Sequence, residues 1–310
     1  MFEDKLISEN NSIIQRILLP DNDKNVNVYI KRDDLIHPEI SGNKWRKLKY
    51  NLIHVIENKY DTMLTFGGAF SNHIYAAAAA GKIFGIKTIG IIRGEEHLPL
   101  NSTLSFAVSC GMELHYLDRT TYRNRNDETF RNNLALKFGN PYIVPEGGSN
   151  MLALKGVAEL VKSIGIDYDY ICCANGTGGT IAGIIAGLAG EKKVLGFPSL
   201  KGGEFLHSVI DEFVYNYIKT KFDNYELITN YNFGGYAKIT KQLIDFIDEF
   251  LEINNIPLDP IYTGKMFYGI NDLIKNNYFN EGANILAIHT GGLQGNMGMK
   301  EKILKLKGIK

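Results

Sequence analysis

The sequence predicts an α/β fold with parallel sheets flanked by helices, and three observations predict it. Short β-type runs alternate with helical patterns along most of the chain, the mark of strand–helix–strand units. Glycine-rich turns stand at the ends of three predicted strands, at 67–73, 175–180 and 289–292. A chain of 310 residues, 45% hydrophobic and 22% charged, is long enough for one large α/β domain or for two.

The first clear element is helical. Ser41 and Asn43 are good N-cap types, and Trp45, Leu48, Leu52, Val55 and Ile56 recur at helical spacing, so a helix is predicted from near Asn43 with that stripe buried. Its first turns hold Lys44, Arg46, Lys47 and Lys49, although the positive end of a helix dipole favours acidic residues. Either that cost is trivial or something anionic or chemical is served. TMLTF (62–66) reads as a strand followed by a helix from Ser71, and KTIGIIR (87–93) as a strand followed by a helix from Thr103. DYICCA (169–174) is a strand followed by a helix from Gly179, and KKVLGF (192–197), YELIT (225–229) and NILAIH (284–289) are further strands. In such sheets ligands lie beyond the carboxyl ends of the strands, where the glycine turns fall.

Lysine plus arginine equals aspartate plus glutamate at 34 each, which argues against nucleic acid or an anionic membrane as the main partner. Any anion site is therefore local. Cys110, Cys172 and Cys173 lack metal-ligand spacing and read as buried thiols in a reducing compartment. The histidines are dispersed and no HExxH occurs, so no metal is expected. The opening MFEDKLISEN is charged where a signal peptide is apolar, and the apolar stretches are too short or too interrupted to span a bilayer. A cytoplasmic protein is expected.

The turn in ANGTGGTIAG joins an apolar strand to an apolar helix through Gly176, Gly178 and Gly179, with Thr177 and Thr180 supplying hydroxyls. Successive N–H groups at a helix start make an anion cradle suited to phosphate; a plain strand-to-helix turn is the alternative. No Walker loop is present, and Ile181 stands where GxGxxG needs its third glycine, so a phosphate here points to a phosphorylated cofactor other than a nucleotide. In TFGGAFSNH, Ser71, Asn72 and His73 open another helix. Ser71 or Asn72 caps it, or the same N–H groups and hydroxyl hold a substrate carboxylate. His73 is able to titrate, though a lone histidine is more often structural.

SGNKWRKLKY, GGAFSNH, VPEGGSN, NGTGGT, YTGKMFYGI and HTGG occur in that order between about Leu35 and Met299. Together they resemble the pyridoxal-phosphate enzymes that group D-cysteine desulfhydrase with 1-aminocyclopropane-1-carboxylate (ACC) deaminase. The resemblance implies a two-domain, tryptophan-synthase-β-like fold of type II, with a small domain at 48–156 inserted into a large cofactor-binding domain of 1–47 and 157–310. It also implies pyridoxal 5'-phosphate as cofactor, a small amino acid as substrate and a homodimer. Lys44 matches the lysine that forms the Schiff base, and Asn72 the asparagine beside the cofactor's phenolic oxygen. Ser71 and His73 fall with Asn72 in the substrate carboxylate loop, and Gly176, Thr177, Gly178, Gly179 and Thr180 match the phosphate cradle. Tyr262 matches a tyrosine facing the substrate, Tyr236 in FGGYAK a second, and Thr263 falls where the family contacts the pyridine nitrogen. Lys44, Ser71, Tyr262 and Tyr236 are the catalytic residues so implied.

A Schiff-base lysine must be neutral to attack, and a helix start with cationic neighbours lowers its pKa. The resemblance further implies that Lys44, once freed, removes the Cα proton, the β-substituent leaves, and pyruvate and ammonia result. ACC deaminases carry glutamate after the tyrosine, whereas YTGK offers only the neutral Thr263 hydroxyl. A ring nitrogen not held charged is a weaker electron sink, suited to expelling a thiolate. The expected reaction is therefore lyase-type elimination of D-cysteine to pyruvate, ammonia and sulfide. ACC opening to 2-oxobutyrate and ammonia is the alternative, and a catalytically silent ligand-binding homologue is the rival. Trp45, Leu293 and Gln294 depart from the small residue and the Ala-Pro types usual at those places, and each is able to reshape the pocket. Arg46 and Lys47, off the apolar stripe, are left with solvent, the cofactor phosphate or a neighbouring subunit.

Overall fold

The computed structural model describes residues 7–20, 22 and 24–309; Met1–Leu6, which begin the charged opening segment, lie outside them. Ten strands are found among the described residues: β1 (Ile14–Ile17), β2 (Asn27–Lys31), β3 (Thr62–Gly68), β4 (Lys87–Arg93), β5 (Glu113–Leu117), β6 (Tyr142–Val144), β7 (Tyr170–Asn175), β8 (Lys193–Pro198), β9 (Tyr225–Leu227) and β10 (Asn284–Ile288). They form a six-stranded sheet in the order β1–β2–β10–β7–β8–β9 and a four-stranded sheet in the order β5–β4–β3–β6. β1 runs antiparallel to β2, and every other pairing is parallel. The centres of β3, β4 and β7 are buried on both faces, which is why they read as continuous apolar runs instead of alternating ones. β1, β2, β5 and β6 were not predicted: they are short, and their polar interruptions hide them.

Helices cover both sheets. α1 (Asn43–Glu57) buries Trp45, Leu48, Leu52 and Val55 completely, each contributing roughly 1.5–3 kcal/mol. Trp45 stacks on Phe84 of α2 (Asn72–Phe84) at 6.3 Å and 11°, inside the core. α1 packs on the helix Met151–Lys162, which packs on the helix Gly179–Leu188. These contacts are close because Gly156 faces the Arg46 backbone and Gly183 faces Val157, with no room for a Cβ at either.

One expectation for α1 is corrected and one open question is narrowed. Neither Ser41 nor Asn43 caps it through its side chain; Gly42 holds the N-cap position at φ +63°. Arg46 and Lys47 are not solvated, because other segments cover the face opposite the apolar stripe. Arg46 forms a two-point ion pair with Asp33 (2.6 and 2.9 Å) and a further one with Glu9 (2.6 Å). Lys49, at the edge, pairs with Glu159 at 2.7 Å.

Candidate active site

The carboxyl ends of β3, β4 and β7, the start of α1 and the segment after β10 surround a cavity of about 590 Å³. That volume suits a small-molecule ligand, for which ~300–1,000 Å³ is usual. Lys44, Ser71, Asn72, His73, Gly176, Thr177, Gly178, Thr180, Tyr236 and Tyr262 all line it. Two expected residues do not. Gly179 contributes to the turn behind the wall, and Thr263 lies fully buried beyond it.

Lys44 is positioned by two motifs far apart in sequence. A Cβ on Gly42 would overlap the Thr290 carbonyl, and one on Gly291, at φ +72°, would overlap Ser41 Oγ. The SGNK and HTGG segments therefore interlock backbone to backbone, with Asn43 N–H donating to Thr290 O at 3.3 Å. Burial alone lowers the Lys44 amine to about 8, and among the described residues no ion pair or hydrogen bond holds its proton. The expected agents, dipole and cationic neighbours, are not needed to account for the shift.

Lys47, one residue short of a full turn further on, reaches the floor of the Gly176–Thr180 cradle. Its Nζ donates to Ser149 Oγ (2.9 Å), Gly147 O (3.1 Å) and Thr177 Oγ1 (3.5 Å), and Ser149 bonds Thr177 at 2.7 Å. Burial, then the charge of Lys44, holds Lys47 well below the ordinary lysine range, so an arriving anion would restore its proton affinity. Asn43 Nδ2 donates to Thr180 Oγ1 at 2.9 Å and ties the cradle to α1. A buried amine that an arriving anion would charge, ringed by hydroxyls at a glycine-rich helix start, fits a phosphate monoester.

At the start of α2, Ser71 is the N-cap: its Oγ accepts from the N–H groups of His73 and Ile74, each at 3.2 Å. Its own proton stays available to the cavity. Thr65 Oγ1 donates to Val144 O at 2.9 Å and so accepts from His73 Nε2 at 2.8 Å, which leaves His73 Nδ1 an unpartnered, buried acceptor. Burial, then the charges of Lys44 and Lys47, keeps His73 neutral. Asn72 Oδ1 accepts from Gln294 Nε2 at 2.8 Å, which directs the amide Nδ2 as the free donor. Gln294 therefore reshapes the site by orienting Asn72, whereas Trp45 does not reach the cavity.

Tyr262 and Tyr236 face each other edge-on at 6.1 Å between ring centroids, each phenol within electrostatic reach of the other. Burial, chiefly, raises both phenols, so each holds its proton at neutral pH. Thr263 Oγ1 donates to Asp259 Oδ2 (2.7 Å) and accepts from Asp259 N–H (3.0 Å). Thr263, expected to address a pyridine nitrogen, has its hydroxyl engaged by Asp259 in a turn that also holds the N–H groups of Ile261 and Tyr262. Lys265, in the same YTGK motif, is buried and donates to Asn232 O and Gly235 O, both at 2.8 Å, anchoring the loop that carries Tyr236. For Lys47 the phosphate was one of three placements the sequence left open, whereas nothing local in the sequence distinguishes Ser149 and Lys265 from solvated residues.

Residues 11–291 match the family described as pyridoxal-phosphate dependent enzymes. A protein of Pyrococcus furiosus, named provisionally as a 1-aminocyclopropane-1-carboxylate deaminase, is 34% identical over 295 residues, covering 89% of this chain and 88% of its own. The mitochondrial bifunctional D-cysteine desulfhydrase/1-aminocyclopropane-1-carboxylate deaminase of Arabidopsis thaliana is 32% identical over 325 residues, covering 95% and 79%. A crystal structure of an ACC deaminase homologue superposes with a TM-score of 0.84 at 31% identity, over 97% of this chain and 95% of that one.

Proposed function

The chain belongs to the pyridoxal-phosphate-dependent enzymes, and on that premise we propose that it eliminates the β-substituent of a small amino acid, with D-cysteine giving pyruvate, ammonia and sulfide. The observation that carries this reading is the Lys44 amine, unpaired and lowered to about 8, on the same cavity as a protonated tyrosine pair. The Gly176–Thr180 turn with Lys47 and Ser149 would hold the cofactor phosphate, Lys44 would tether its aldehyde carbon, and Asn72 would donate to its phenolic oxygen. When bound, the cofactor supplies an electron sink for charge developing at Cα.

The chain's own residues supply the rest. The Ser71 hydroxyl and the first N–H of α2 bind and orient the substrate carboxylate. Lys44 Nζ, neutral, accepts the Cα proton. Tyr262, backed by Tyr236, donates a proton to the departing sulfur. Position 263 supports elimination over ring opening, because it bears no ionisable group and its hydroxyl is occupied by Asp259. ACC opening is the second reading, favoured by the names of the relatives. Loaded protein given D-cysteine, L-cysteine and ACC in turn decides: sulfide with pyruvate from D-cysteine is expected, and 2-oxobutyrate from ACC without sulfide would overturn the proposal.

The same reading includes an inserted small domain at 48–156, supported by β3–β6 forming a sheet of their own. It also includes a cytoplasmic homodimer, supported by three free cysteines and by family membership. No helix among the described residues is long and apolar enough to cross a membrane.

A further inference from the structure

One cation on the cavity wall has no part in the chemistry above. Arg93 ends β4 in register with Gly68 of β3, and its Nη2 lies 3.5 Å from where a Cβ on Gly68 would stand. The guanidinium therefore sits over the strand end that leads into the Ser71–His73 turn, and it lines the same cavity as Lys44. Among the described residues no carboxylate pairs with it. Glu146, the acid on that wall, is taken by Arg125 Nε at 2.7 Å and by the Tyr122 hydroxyl at 2.9 Å. Arg93 is exposed at the cavity mouth; its other neighbours are the Tyr122 ring, 6.0 Å from the guanidinium carbon and at the far limit of a cation–π contact, and the Tyr236 phenol, which its charge reaches.

The substrate's α-carboxylate already has the Ser71 hydroxyl and the first N–H of α2. A planar, permanently charged fork left without a partner on a ligand cavity is suited to another anion. We propose that Arg93 receives a second anionic group, so that the preferred substrates are β-substituted alanines whose leaving group carries a carboxylate, phosphate or sulfonate; this rests on the β-elimination reading. For an S-carboxymethyl substrate, Lys44 takes the Cα proton and the Cβ–S bond breaks with its electron pair going to sulfur. Mercaptoacetate leaves protonated from the tyrosine pair, and the three-carbon remainder takes up one water to give pyruvate and ammonia.

The test compares S-carboxymethyl-D-cysteine with its neutral near-isostere S-carbamoylmethyl-D-cysteine on cofactor-loaded protein. Turnover is read as thiol and pyruvate release, and binding by calorimetry in a Lys44→Met background. The charged compound should bind up to about fivefold tighter, the span of a solvent-exposed ion pair, and Arg93→Gln should bring that ratio near one while Arg93→Lys keeps part of it. A ratio near one in unmodified Arg93 protein, a ratio surviving Arg93→Gln, or equal weakening of both compounds would overturn the proposal; the last would assign Arg93 to the shared α-carboxylate. A binding preference with no thiol or pyruvate would uphold the anion site and refute β-elimination. Turnover of both compounds without preference would do the reverse.

Discussion

Replacing Lys44 with methionine should make the protein more stable at neutral pH while abolishing its chemistry. The amine is lowered from its ordinary 10.5 to about 8 by burial, so the unfolded chain binds a proton that the folded chain holds weakly. Stability therefore rises with pH through the window between those values, and the penalty is largest below 8. Linkage places it at about 3 kcal/mol at pH 7 and about 1 kcal/mol at pH 10, as upper estimates for a residue with one edge exposed. The measurement is denaturant unfolding of cofactor-free protein, unmodified and Lys44→Met, at both pH values. Methionine matches the side chain's length without its charge, so the variant should lead by a few kcal/mol at pH 7 and by much less at pH 10. A lead that does not shrink with pH would mean that packing, not proton affinity, separates the two. No lead at pH 7 would refute the depressed amine.

Lys47→Ala removes the donor to Ser149, Gly147 and Thr177, and should weaken cofactor retention about 10- to 100-fold by equilibrium dialysis, given that charge-assisted hydrogen bonds contribute ~1.5–3 kcal/mol. Gly42→Ala places a methyl on the Thr290 carbonyl at φ +63° and should destabilise the fold by about 3 kcal/mol or more, read as a lowered Tm; an unchanged Tm would contradict the interlock. Lys265→Met leaves two loop carbonyls without their donor and should lower kcat while leaving Lys44 reactive to borohydride-trapped cofactor; loss of that trapping would point to general unfolding instead.

Much of this site is legible in sequence wherever the chemistry is local. Glycine turns at strand ends announce anion-binding helix starts, and the Trp45–Val55 stripe announces α1, because both depend on residues within a turn or two of one another. Arg46 and Lys47 defeat that logic. A helical wheel assigns the face opposite the apolar stripe to solvent, but here Asp33 and Glu9 cover Arg46, and Ser149 and Thr177 cover Lys47 from more than a hundred residues away. The surroundings of Thr263 are hidden for the opposite reason. Its partner Asp259 is only four residues earlier, yet which way a hydroxyl turns depends on the fold of the intervening turn. Gln294 looked like a loss of the usual Ala-Pro pair, and only the approach of α2 shows it holding Asn72.

The interlock of Gly42 with Thr290 also sets a schedule. Lys44, proposed to tether the cofactor, has a seat half made of a segment translated about 250 residues after it, which at ~5–20 residues per second is roughly 10 to 50 seconds. Until then no nascent chain presents Lys44, the cradle and the HTGG turn together. A chain truncated before Thr290 would keep Lys44 without the segment that seats it.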